Sequence, residues 1–90
     1  MWNNLITFFA LLGGTIALYT VIGIINESSI KKEIKKHIAN AFKVIITNKG
    51  VKKIQLDVFS KDDEKIKAVE IESKEGISEN LKIGQIIYCI

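Results

Sequence analysis

The residues able to do chemistry are few and scattered. His37 is the sole histidine and lies among lysines, with neither a second histidine nor a neighbouring cysteine to complete a metal shell. It reads as a surface side chain. Cys89 is the sole cysteine, so no intrachain disulfide can form, which suits a reducing compartment. It reads as a small apolar strand residue. The run Asp62-Asp63-Glu64 lacks the spaced oxygen ligands of a calcium loop and reads as a solvated turn. Asp57 has apolar neighbours on both sides, yet strand alternation places it outward. Ser28, Ser29, Ser60, Ser73 and Ser78 have no motif around them, and no nucleophile elbow, P-loop, dinucleotide glycine pattern or zinc spacing occurs. The sequence predicts no catalytic residue, no cofactor and no metal, and a binding or structural role in place of an enzyme.

The charges are unevenly distributed. Residues 1–26 carry no Asp, Glu, Lys, Arg or His, and the formal net charge of +3 falls within residues 27–43, while 44–90 are balanced. Basicity confined to a collar, with no arginine to offer a bidentate fork, argues against a nucleic-acid partner. No small-molecule substrate is evident either.

Residues 5–25 are uncharged and mostly aliphatic or aromatic. As a helix they would measure about 31 Å at ~1.5 Å per residue, the thickness of a hydrocarbon core. The sequence thus predicts a single N-terminal transmembrane helix in an anchor of residues 1–26. Lys31, Lys32, Lys35 and Lys36 follow it closely and nothing positive precedes it. The positive-inside bias then puts the N-terminus outside and the rest in the cytoplasm of a single-pass cell-membrane protein, with the bilayer itself as a partner. On that helix Ala10, Gly13, Gly14 and Ala17 would form a small-residue stripe suited to helix association.

Residues 27–43 read as a basic amphipathic connector. Ile30, Ile34, Ile38, Ala41 and Phe42 recur at helical spacing between lysines, with Ser28 or Ser29 as N-cap. Its apolar stripe suits either a lipid headgroup boundary or the following domain.

Beyond it the period switches to two and β-branched residues dominate. Strands are predicted near 43–47, 51–59, 65–73 and 84–90, giving a small four-stranded antiparallel β domain over 44–90, a meander or partial barrel, within an α+β chain. Asn48-Lys49-Gly50 and residues 60–64 supply the hairpin turns. A change of phase in the third strand, between Ala68 and Val69, predicts a bulge or bend. The last strand, with Ile86, Ile87, Tyr88, Cys89 and Ile90, is apolar on both parities and must be covered on both faces. The stretch Leu81-Lys82-Ile83-Gly84-Gln85-Ile86 resembles the turn into a strand found in small β-barrels of the SH3-like and OB types, and the resemblance implies a barrel-like domain.

The function these features predict is a membrane-anchored protein whose cytoplasmic β domain is a protein-binding or regulatory module, its partner a protein or a second copy held by the final strand. A second reading makes the chain an accessory subunit of a membrane complex, joined through the small-residue stripe. A third makes it an exported β domain with its leader removed.

Overall fold

The computed structural model of the chain describes residues 16–90. The elements run β1 (Ile16–Thr20), α1 (Glu27–His37), β2 (Lys43–Lys49), β3 (Lys53–Phe59), β4 (Lys65–Glu72) and β5 (Ile86–Tyr88). Five strands form one sheet in the order β1-β4-β3-β2-β5. β1 runs parallel to β4, and every other neighbouring pair is antiparallel. Helix α1 covers one face of the sheet.

The apolar N-terminal run is where expectation and structure part. A helix over residues 5–25 is excluded because Ile16–Thr20 is a strand in register with β4, Ala17 opposite Val69 and Tyr19 opposite Ile71. The chain then follows the same edge through a bend at Ile22 and Gly23, where Gly23 takes a φ of 91°. Val21 donates its amide to Glu72, and fully buried Ile25 bridges Ile77. No helix among the described residues is long and apolar enough to cross a membrane. The single-pass placement, with its outside N-terminus and cytoplasmic tail, falls with the helix on which it rested. The physical reason is that a charge-free run fits any dry environment, and over residues 16–25 one face of the run meets the protein's own core. Ala17, Tyr19 and Val21 alternate inward onto the core, whereas Leu18 is 71% exposed.

The fold class is corrected in a second respect. The sheet has five strands and is mixed, where four antiparallel strands were expected, and among the described residues its two edge strands do not pair to close a barrel. The local elements follow the sequence more closely. Gly50 closes the β2–β3 turn on the Lys53 carbonyl. Ser60 and Glu64 close the next, where Asp63 takes a φ of 68°. The irregularity expected between Ala68 and Val69, where the register is unbroken, falls earlier as a bulge at Ile66, because Phe59 pairs with Lys65 while Val58 pairs with Lys67. A second irregularity falls at Thr47 in β2. Gly84, at φ 89°, makes the turn into β5.

Helix α1 starts earlier than a Ser28 or Ser29 cap implied and stops earlier than the periodicity implied, with Ile38 as its C-cap. Asn26 is the N-cap, accepting from the Ser29 amide at 2.9 Å, while Ser29 Oγ accepts from the Asn26 amide at 2.7 Å. This reciprocal box satisfies two donors that a helix start otherwise leaves orphaned. Ile30 and Ile34 turn onto the sheet and are fully buried, so the apolar stripe meets the domain. They join Val44, Ile46, Ile54, Leu56, Val58, Val69, Ile71 and Ile87 in one core.

Candidate interaction surface

The face of the sheet away from α1 is the candidate site. Two regions of it differ in chemistry, one along β5 and one at the β2–β3 turn.

Strand β5 pairs with β2 on one side, with Ile87 opposite Val44, and no strand among the described residues pairs with its other side. The Cys89 amide donates to the Phe42 carbonyl at 2.8 Å, and the Gln85 carbonyl accepts from Ile46 at 3.0 Å. Odd-numbered positions therefore bond inward. By antiparallel alternation the amide and carbonyl of Ile86 and Tyr88 face the open edge. The side chains divide the same way. Ile87 and Cys89 are buried in the core, while Ile86 (46% exposed), Tyr88 (48%) and Ile90 (83%) are exposed. The five residues predicted as a binding strand thus separate into a core-forming pair and a solvent-facing trio. The Phe42 ring meets Tyr88 edge-on at 5.7 Å, and the Lys43 ammonium lies 5.8 Å above the Phe59 ring while pairing with Asp63. An aromatic patch with one tethered cation flanks the open edge.

Cys89 takes its character from this division. Burial pushes its thiol above the ordinary value, against a smaller opposing pull from Lys35 and Lys31. A raised folded-state pKa means that the thiol's contribution to stability is complete below the unfolded value of about 8.5 and is lost as pH rises past it toward the folded value. Native alkylation of Cys89 by iodoacetamide at pH 8 is expected to run about tenfold or more slower than in the urea-unfolded chain. Thiol titration in the two states checks this; equal rates would place Cys89 at the surface.

At the other end of the same face, Gln55 sits in the middle of β3, opposite Glu70 on β4 and Asn48 on β2. It is only 2% exposed. Its Nε2 donates to Glu70 Oε1 at 3.2 Å, and Lys53 approaches the other oxygen of Glu70 at 3.8 Å. Its Oε1 is buried without a hydrogen-bond partner among the described residues. Leaving such an acceptor unmet costs about 1–3 kcal/mol. A cleft of about 400 Å³ opens beside it, with Asn48, Val51, Lys53 and Glu72 in its walls.

The remaining predicted residues are dispersed. Ala10, Gly13 and Gly14 lie outside the described residues, and Ala17 is in β1, directed at the core. Lys31, Lys32, Lys35 and Lys36 all lie on α1. Lys35 folds over the helix end to donate to the Ala39 and Ala41 carbonyls at 2.8 and 3.3 Å. Lys32 and Lys36 line a shallow polar cleft with Ser28 and Ser29. Asp57 pairs with Lys65 at 3.3 Å. No group of His, Cys, Asp and Glu among the described residues could hold a metal ion.

Sequence reasoning missed two features. His37 does not stand alone: its ring stacks on Tyr19 with centroids 4.0 Å apart, and its Nε2 lies 3.0 Å from Glu33 Oε2. Burial, helped by Glu33, holds the Tyr19 hydroxyl above its ordinary pKa, so it stays protonated. The stack pins the end of α1 to the edge strand. The second is Gln55, whose polar type and outward parity both pointed to solvent. The i,i+4 spacing of Glu33 and His37 was a visible signal for the first, but nothing local announced the second.

No family model, curated protein or solved structure matches this chain. Its function is therefore argued from the surface itself.

Proposed function

We propose that this protein is an interaction module that takes an extended segment of a protein partner onto the open edge of β5. The observation that carries the reading is the outward-directed backbone of Ile86 and Tyr88, set beside their own exposed apolar side chains. Strand addition uses both: main-chain hydrogen bonds hold the incoming segment, and alternate side chains give it specificity. Residues 86–90 carry no charge and no proline, the devices by which an edge strand ordinarily repels such pairing. The aromatic pair of Phe42 and Tyr88 offers the incoming side chains a place to rest. The reading is of binding, not of catalysis.

The test uses the full-length chain in its own cells, with benzoylphenylalanine replacing Ile86 or, as a control, Leu18. A defined crosslinked partner is expected from position 86 and not from position 18. Tyr88→Pro removes an amide that faces the open edge and should reduce the crosslink about tenfold or more, while Tyr88→Phe leaves it intact. Proline at Ile87 would instead strike the pairing with β2. Undiminished crosslinking by a folded Tyr88→Pro chain would refute strand addition.

A further inference from the structure

We propose that the cleft between α1 and the chain that leaves β1 is a docking site for an acidic segment of another protein. The cleft is shallow, about 450 Å³, and its two sides differ in chemistry. On one side Ser28, Lys32 and Lys36 follow one another at steps of four along α1, a spacing that sets them in a row on one face of the helix. On the other side run Thr20, Val21 and Ile22, the last of them fully exposed.

The two lysines are uncommitted. Neither Lys32 nor Lys36 makes a hydrogen bond or an ion pair among the described residues, whereas Lys35 is folded onto the Ala39 and Ala41 carbonyls. Like charges four residues apart on a helix repel, and a carboxylate set between them relieves the repulsion. Glu33 also lines the cleft, but its carboxylate is engaged with His37 at 3.0 Å. The whole formal excess of +3 falls within residues 27–43, so the field of the molecule draws acidic groups to this side.

Other occupants match the cleft less well. A second copy seated on it by a two-fold axis would bring these lysines against their own counterparts. A free phosphate seeks the unmet amides at a helix start, and the reciprocal box of Asn26 and Ser29 already takes two of them. It would also leave Ile22 bare. An anionic lipid surface is broad and would meet the rim of the cleft but not its floor. A chain segment with aspartate or glutamate beside a large apolar residue answers every feature: its carboxylates reach Lys32 and Lys36, and its apolar side chain covers Ile22. The site lies on the α1 side of the sheet, apart from the β5 edge, and does not depend on strand addition there.

The experiment places benzoylphenylalanine at Ile22 of the full-length chain in its own cells and reads the sequence of whatever becomes attached. The expected product is a protein segment rich in aspartate and glutamate with a large apolar residue among them. Reversing both charges, Lys32→Glu with Lys36→Glu, should lower the yield about tenfold or more, while Lys32→Arg with Lys36→Arg should preserve it. Both lysines are exposed, so the circular dichroism of the reversed chain should match the parent. Should it not, Lys32→Gln with Lys36→Gln is expected to lower the yield about threefold or more. A synthetic peptide of the attached segment should bind the purified chain about tenfold more weakly in ~0.5 M than in ~0.05 M salt. Crosslinking from position 86 should persist in the charge-reversed chain, which tells failure of this site from failure of the β5 edge. Attachment to lipid, to a second copy or to a segment without excess acid, no attachment at all, or an undiminished yield after charge reversal would overturn the proposal.

Discussion

Replacing Ile34 by alanine is expected to lower the free energy of unfolding by about 2–5 kcal/mol. Ile34 is fully buried, one turn from the equally buried Ile30, and the two are the buried residues of α1. Truncation removes apolar contact and leaves a cavity that a small core relaxes around only in part. A domain of this size has a total stability of roughly 5–10 kcal/mol, so the variant stands close to unfolding at 37 °C. Urea denaturation followed by circular dichroism measures the loss. Lys36→Ala, on the exposed side of the same helix, should stay within about 0.5 kcal/mol of the parent. A loss under about 1 kcal/mol at Ile34 would mean that the helix does not rest on the sheet.

The second large effect separates a strand from a spanning helix at residues 16–20. Ala17→Asp places a carboxylate against the core side of β1, where Val69 and Ile71 are its nearest strand partners, and should cost on the order of 3 kcal/mol. Leu18→Asp puts the same group on the opposite face, where Leu18 is itself 71% exposed to water; even set across from Glu70 it should change stability by less than about 1 kcal/mol. A spanning helix would predict no such alternation, because both positions would face lipid or a partner helix. Thermal unfolding of the two variants decides it, and equal destabilisation would remove β1 from the sheet.

Much of the hairpin region was legible because its signals are local. Period-two alternation and the Asn48-Lys49-Gly50 turn act within a few residues, and the structure keeps both, while the irregularity in β4 falls earlier, at Ile66. The isoleucines of α1 announced its buried face, although its N-cap was misplaced by two or three residues because Asn26 was counted with the apolar run. The candidate surface was half legible. Apolar residues at 86–90 marked a strand needing cover on two faces, but which of them face the core depends on the hydrogen bonds that β5 makes to β2.

What the sequence determined by itself was the set of dry segments, the places where the chain turns, and the inventory of groups able to react. What only the tertiary structure decided was where each dry segment is buried. The hydrophobic effect is non-directional, so it favours taking apolar residues out of water without choosing between lipid and a sheet; within 16–25 it buries Ile25 and leaves Leu18, Ile22 and Ile24 exposed, and β1 is settled by pairing with a strand some fifty residues away. The same holds for Gln55, whose burial comes from residues on β2 and β4 and whose unmet oxygen appears only once those strands are assembled around it.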